Sequence, residues 1–280
     1  MTITLLKPGE RLKDRYHIVR VITAGGASAV YEARDGAMPY SPEIRMIKQT
    51  LVKTHQARDP HWLEQFSLKY RILHELIHPA ILRTYDYFML RAHVYHVTDL
   101  ISGQDLAELL ANEDHTFPVR TVYGWGLALC DALDYMHTHP NGAIIHRDVK
   151  PANIMVDHRQ IARLIDFDIA GVFATELTDA PLGSDGYAAP EQYEGVITPA
   201  VDVYGLAATL HHLLTGRDPR LGEPFSQVDE PAHTLNPSVS EAFAQVLSRA
   251  LQPDPAYRFS TARELYDELV VIEPQAEEIV

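Results

Sequence analysis

Strand-like patterning dominates the first hundred residues of the chain and helix-like patterning the rest. Residues 16–23 and 28–34 are rich in β-branched and aromatic side chains and predict two strands, with Asp35-Gly36 as a turn signal. The run E-I-R-M-I-K-Q at 43–49 predicts a third strand, and 85–89 and 93–98 predict two more. Between them, Asp59-Pro60 supplies an N-cap and a first-turn proline. Trp62, Phe66, Ile72, Leu73 and Leu76 then fall on one face at helical spacing, until His78-Pro79 stops the helix. Further on, Val122, Trp125, Leu129, Leu133 and Met136 form the core stripe of a helix over 118–139, closed by His139-Pro140-Asn141-Gly142. Short apolar runs at 154–156 and 161–165 predict strands, and 201–214 a helix ended by Thr215-Gly216. Within that helix His211-His212 reads as one buried and one exposed side chain, and residues 217–237, rich in Pro, Gly and charge, read as surface loop.

Composition narrows the class. A chain of 280 residues that is 46% hydrophobic can bury one or two good cores, as one large domain or two lobes. With 24 basic against 38 acidic residues the net charge is −14, which repels nucleic acid and anionic membranes. Cys130, the single cysteine, lies in an apolar helical run and reads as a buried, inert thiol. No disulfide framework exists, which fits a reducing cytoplasm. The first ten residues hold too short an apolar run for a signal peptide, and no uncharged stretch approaches the roughly 20 residues that span a bilayer. The expectation is a soluble, cytoplasmic protein whose acidic end, 273–280, is a loose tail.

Candidate chemistry concentrates in I-I-H-R-D-V-K-P-A-N-I-M-V followed by A-R-L-I-D-F-D-I-A-G. His146, Arg147, Asp148, Lys150 and Asn153 share one loop, and Asp166 follows at the end of an apolar hairpin. Such a set suits phosphoryl transfer: one carboxylate orients a hydroxyl, a lysine neutralises the moving phosphate, and Asn plus Asp offer hard oxygens to Mg²⁺. The plain alternative is a polar turn between two core strands. A second signal is T-A-G-G-A-S-A-V-Y at 23–31, a glycine-rich hairpin whose backbone N–H groups can approach phosphates that a Cβ would block.

These motifs resemble the eukaryotic-like protein kinase family in its bacterial serine/threonine form, over about residues 16–268. The resemblance implies an α+β, bilobal fold: a small antiparallel β-sheet lobe over 1–98, a hinge at 99–101 and a mainly helical lobe over 102–272. It implies ATP with Mg²⁺, Mn²⁺ being an alternative ion, and a protein substrate bearing a serine or threonine hydroxyl. By resemblance Asp148 takes or orients the hydroxyl proton, Lys150 stabilises the γ-phosphate, and Asn153 and Asp166 hold the metal. Lys48 meets the α- and β-phosphates. Thr23, Gly25, Gly26, Ser28 and Val30 cover the nucleotide, together with Met46, Thr98 behind the adenine, Asp99 and Ile101 at the hinge, and Met155. Asp105 reads equally as a ribose contact or as a helix cap. His146 is expected to pack under Phe167, Asp202 to anchor the catalytic loop backbone, and Glu191 of A-P-E to pair with Arg258. Gly183-Ser184 is the position that accepts the residue after the target hydroxyl. Thr175, Thr178 and Ser184 read as exposed hydroxyls within reach of Arg147, hence as autophosphorylation sites or as an unmodified polar loop. A homodimer is left open.

The chain departs from the family pattern in its supporting residues. Thr23 and Ser28 replace the outer glycines of the nucleotide loop, and Met46 stands where alanine is usual. Lys69 occupies the position of the helix glutamate that pairs with the strand lysine, and two ammonium groups about 4 Å apart repel by roughly 1–4 kcal/mol. Asp168 replaces the glycine of Asp-Phe-Gly, and charge balance suggests that it partly stands in for that glutamate. The leading expectation is an active ATP-dependent protein serine/threonine kinase. The alternatives are a pseudokinase that binds nucleotide or a partner as a scaffold, and a small-molecule phosphotransferase, which the G-S-D-G-Y-A-A-P-E segment disfavours.

Overall fold

The computed structural model describes residues 3–37, 43–52, 59–112, 116–172 and 183–272. The tail at 273–280 and Thr175 and Thr178 lie outside them. The chain divides into two compact units, one of Met1–Ile77 with Leu82–Ser102, the other of His78–Ile81 with Gly103–Val280. The α+β split read from the pattern holds, with the large sheet in the first unit and most of the helices in the second.

The first unit is a six-stranded antiparallel sheet: β1 (Arg11–Leu12), β2 (Tyr16–Gly25), β3 (Ser28–Asp35), β4 (Glu43–Leu51), β5 (Thr84–Leu90) and β6 (His93–Asp99), in the order β1-β2-β3-β4-β6-β5. Alternation decides its faces. Arg45, Ile47 and Gln49 of β4 are buried on one side, whereas Met46, Lys48 and Thr50 are half-buried on the other. The buried side carries a core built around Tyr16, Ile18, Tyr31, Ile47, Tyr95 and Val97. Helix α1 (Pro60–Glu75) begins where the Asp59 side chain accepts from His61 N, as the Asp-Pro pair predicts. Its buried face differs from the expected one. Trp62 and Phe66 are half-buried, stacked 5.1 Å apart, and Tyr70 takes the buried place between Tyr87 and His96, at 4.8 and 5.3 Å.

The second unit holds β7 (Gly103–Asp105), α2 (Leu106–Asn112), α3 (Val119–His137), β8 (Ile144–Ile145), β9 (Ile154–Asp157), β10 (Ala162–Leu164), β11 (Gly171–Val172), α4 (Pro199–Thr215), α5 (Ala232–Leu235), α6 (Glu241–Ala250) and α7 (Ala262–Val271). The expected stripe of α3 is buried throughout, and Cys130 beside it is a free, buried thiol whose pKa burial pushes far up. Residues 78–81 join this unit because Ile81 bridges Leu164 and Leu164 N donates to Ala80 O at 2.9 Å.

Two expectations fail here. His211 and His212 are both buried, at 1% and 8% exposure, because α4 is enclosed on every side. His211 Nε2 meets Glu230 O at 2.8 Å and His212 Nδ1 meets the Tyr187 hydroxyl at 2.7 Å. Residues 217–237 are not wholly loop: Ser226–Asp229 forms a 3-10 turn whose buried Gln227 donates to Ala208 O at 3.3 Å, and α5 follows.

The pairing of Glu191 with Arg258 forms as expected. Arg258 donates to both carboxylate oxygens, at 2.7 and 3.1 Å, and to the carbonyls of Ala200, Gln252 and Pro253. Its guanidinium also lies 4.9 Å from the Tyr204 ring. With both side chains buried, removing one leaves an uncompensated charge in a dry site. Arg258→Ala should therefore cost the second unit about 3–5 kcal/mol, read as a lowered urea midpoint.

Candidate active site

The second unit assembles the loop on which the chemistry depends. Asp202, on the first turn of α4, accepts from His146 N at 2.7 Å through Oδ2 and from Arg147 N at 2.7 Å through Oδ1. His137 Nε2 at the end of α3 adds a contact to Oδ2 at 2.8 Å. Burial alone would push the Asp202 carboxyl up, but the His137 contact and the backbone donors bring its pKa below the usual value. The anchor expected of Asp202 is formed.

The loop then turns sharply. Arg147 has φ 69° and Asp166 φ 61°, both in the left-handed region. Aspartate tolerates this region, whereas for arginine it is a strained conformation costing of order 1–3 kcal/mol. Arg147 is locked there from several sides. Its carbonyl accepts from Gln192 Nε2 at 3.0 Å, while Gln192 Oε1 accepts from Ala189 N at 2.9 Å. Its guanidinium lies so close to the backbone of Gly171 that a Cβ there would sit 2.0 Å from Nη2. Gln192 escaped the sequence reading, because no local motif marks it, and Gly171, though it closes the quoted motif, is given no role there.

Asp148 sits at the centre. Its Oδ2 accepts from Lys150 Nζ at 2.7 Å and from Asn153 Nδ2 at 2.8 Å, and the same amide group donates to Asp148 O at 2.8 Å. Because both partners of the amide are acceptors, the Asn153 carbonyl oxygen is directed away from Asp148. Asp148 Oδ1 is buried and accepts from none of the described residues. A buried carboxylate oxygen without a protein donor is costly unless a water or a ligand hydroxyl completes it. Lys150 Nζ also donates to Ser184 Oγ at 2.5 Å, which corrects the reading of Ser184 as an exposed hydroxyl: it is half-buried and engaged. His146 accepts from Asp148 N through Nδ1 at 3.4 Å and, through Nε2–H, contacts Ile165 O at 3.0 Å, with Phe167 against its ring at 5.1 Å. Asp166 is half-buried and accepts from Asp168 N at 3.3 Å, and Asp168 itself is exposed.

No group of three or more His, Cys, Asp or Glu able to hold a metal occurs among the described residues. The donors at hand are one amide oxygen and one carboxylate, Asn153 and Asp166. That hard, sparse set suits Mg²⁺, which keeps several waters and takes its other ligands from phosphate.

In the first unit the strand register gathers most of the expected nucleotide residues on one face. Thr23 pairs with Val30, Val30 with Lys48 and Lys48 with His96, while Met46 pairs with Thr98 in the next row. Tyr70 packs on His96, so α1 covers the face that carries Lys48. Lys69 is half-buried with Nζ 5.1 Å from the Tyr70 ring. The glycine hairpin extends β2 to Gly25, with Gly26 at φ 38°, and a Cβ on either glycine would meet nothing within 4 Å. Ser28 opens β3 opposite Gly25. Thr98 is buried, and the Asp99 carboxylate lies 3.5 Å from Arg45. In the second unit Asp105 Oδ1 accepts from Glu108 N at 2.8 Å, so it caps α2. Met155 is half-buried on β9 opposite Asp105.

Comparison with known proteins agrees with this geometry. Residues 16–270 match the model of the protein kinase domain. The chain is 31% identical over 277 residues to the serine/threonine-protein kinase PrkC of Bacillus subtilis, covering 92% of the chain and 40% of that protein. It is 32% identical to the serine/threonine-protein kinase PknB of Mycobacterium tuberculosis, covering 92% of the chain and 43% of that protein. It thus spans about two-fifths of the length of these curated relatives. The crystal structure of the Mycobacterium tuberculosis PknI kinase domain superposes with TM-score 0.74 at 27% identity, over 96% of this chain and 99% of that one.

Burial lowers the His212 pKa to about 4 from its ordinary 6.5, and its Nδ1 takes the Tyr187 hydroxyl. The unfolded chain therefore binds a proton that the folded one refuses between pH 6.5 and 4, and stability falls as pH falls through that window. His212 alone accounts for up to about 3 kcal/mol. Urea unfolding at pH 7 and pH 4.5 should show this loss, and His212→Gln should flatten the slope.

Proposed function

The chain belongs to the protein kinase domain family, and from that membership we propose that it transfers the γ-phosphate of ATP to a serine or threonine hydroxyl of a protein. The observation that carries this reading is the Asp148 carboxylate, with one oxygen fixed by Lys150 and Asn153 and the other buried, with no donor among the described residues. A hydroxyl that donates to Oδ1 is oriented for attack, and its proton has an acceptor as the new P–O bond forms. Lys150 keeps a positive charge beside that point, where charge moves during transfer. Lys150 two residues after Asp148 matches the serine/threonine branch of the family rather than the tyrosine branch.

Asn153 and Asp166 are the residues that would hold Mg²⁺, which when bound neutralises charge on the phosphates. Lys48 takes the α- and β-phosphates in this reading, and the open backbone at Gly25 and Gly26 leaves room for phosphate oxygens. In this reading Thr23, Ser28, Val30, Met46, Thr98, Asp99 and Ile101 are the first unit's residues for the base and sugar, and Met155 is the second unit's. Asp105 is committed to its cap, which weakens the ribose role. No helix among the described residues is long and apolar enough to cross a membrane. The reading places the domain in the cytoplasm, where ATP is supplied. Thr175 and Thr178 are its autophosphorylation sites, a phosphate there being paired by Arg147.

Phosphate transfer from γ-³²P-ATP to a serine/threonine peptide mixture should drop by about 10²–10⁴-fold in Asp148→Asn, while Mg-ATP still raises the thermal midpoint of that variant. Asp166→Asn should lose both. Absence of transfer by the unaltered chain, with or without nucleotide binding, would leave a partner-binding scaffold instead. Mass spectrometry after incubation with Mg-ATP should find phosphate at Thr175 or Thr178, and an unmodified 173–182 segment would remove that assignment.

A further inference from the structure

Glu191 and Gln192 are neighbours in a 3-10 turn over Pro190–Glu194, and both are buried. Glu191 is accounted for by Arg258. Gln192, 2% exposed, reaches the loop after β8 instead: its Nε2 donates to Arg147 O at 3.0 Å while its Oε1 accepts from Ala189 N at 2.9 Å. A primary amide supplies a donor and an acceptor from one plane, and this one uses both to join two segments. The packing around it leaves little slack. Gly183 has φ 129°, and a Cβ there would lie 3.1 Å from Gln192 Nε2 and 2.7 Å from the Ala188 Cβ.

What Gln192 holds is the carbonyl of the peptide unit that joins Arg147 to Asp148. A peptide unit is planar, so restraining its oxygen orients the whole plane, the Asp148 Cα included. The N–H of the same unit has a poorer hold, His146 Nδ1 at 3.4 Å. The preceding unit is held at its own N–H, where Arg147 N donates to Asp202 Oδ1 at 2.7 Å. Asp202 and Gln192 therefore grip the two peptide planes on either side of the Arg147 Cα, whose φ is 69°. With Gln192 gone, one plane stays fixed and the other can rotate towards a relaxed turn, taking Asp148 with it. Lys150 and Asn153 both act on the Asp148 side chain at Oδ2, a single point about which the carboxylate can pivot.

Resting on the kinase reading, we propose that Gln192 is a positioning residue for phosphoryl transfer. Through the Arg147 carbonyl it sets the direction in which Asp148 Oδ1 meets the acceptor hydroxyl, and it ties that direction to the segment from Gly183 to Ala189. Neither of its two bonds involves a residue assigned to the nucleotide, so the step it governs is transfer rather than ATP binding.

Two substitutions separate this role from packing. Gln192→Met keeps the length of the side chain and loses both hydrogen bonds. Gln192→Glu keeps the length and the acceptor for Ala189 N, but at about pH 9 its carboxyl is ionised even when buried and offers Arg147 O no donor. Initial rates of transfer from γ-³²P-ATP to a saturating serine/threonine peptide mixture at that pH should show kcat lowered about 10- to 100-fold in both variants. The KM for Mg-ATP and the rise in thermal midpoint on adding Mg-ATP should stay as in the unaltered chain. A kcat kept in Gln192→Met, or lost there and kept in Gln192→Glu, overturns the proposal, the latter result assigning the side chain to Ala189 alone. A loss that falls on the KM for Mg-ATP with kcat kept, or a thermal midpoint below the assay temperature in both variants, overturns it in favour of a purely structural role. All of these leave the kinase reading standing. No transfer and no ADP release by the unaltered chain overturns the kinase reading and the role of Gln192 with it.

Discussion

Everything in the second unit that bears on chemistry depends on one buried carboxylate holding two backbone N–H groups. Asp202 fixes the amides of His146 and Arg147, and it is itself fixed by His137. This grip, with Gln192 on the Arg147 carbonyl, offsets the local cost of the left-handed turn at Arg147. With it, the next residue, Asp148, is aimed by the backbone rather than by its own contacts. The carboxylate remains ionised in a dry setting because three donors replace its water, a case where hydrogen bonding to the charged form outweighs desolvation.

The same logic runs outward. Gln192 ties the carbonyl of Arg147 to the segment that ends in Ala189-Pro190-Glu191, and Glu191 is clamped by Arg258 from 67 residues away. The loop after β8, the segment around Ala189–Gln192 and Arg258 are therefore one hydrogen-bonded system, with the Glu191 and Arg258 charges buried as a pair. Such a system is costly to half-build. Its benefit is positional: Lys150, Ser184, Asn153 and Asp148 converge without any of them needing to search for a rotamer.

Against that fixed frame, the departures from the family pattern are confined to supports. Lys69 and Met46 alter the surroundings of Lys48, and Asp168 alters the residue after Phe167. None of them replaces a group that would touch the transferred phosphate.

Reading the chain residue by residue determined the element types, because strand alternation and helical stripes are local properties that survive any packing. It also determined the loop from His146 to Asn153, whose spacing is short enough to fix which groups meet. The Asp59 cap, the α3 stripe and the Glu191–Arg258 pair were legible for the same reasons, the last through resemblance. Tertiary structure decided what spacing cannot carry. It buried both histidines of α4 by enclosing that helix, gave the buried place on α1 to Tyr70 rather than Trp62, and turned Ser184 from a free hydroxyl into a partner of Lys150. It left one oxygen of Asp148 without a donor among the described residues. Each of these outcomes depends on which distant surface removes water from a side chain, and that is settled only when the whole unit closes around it.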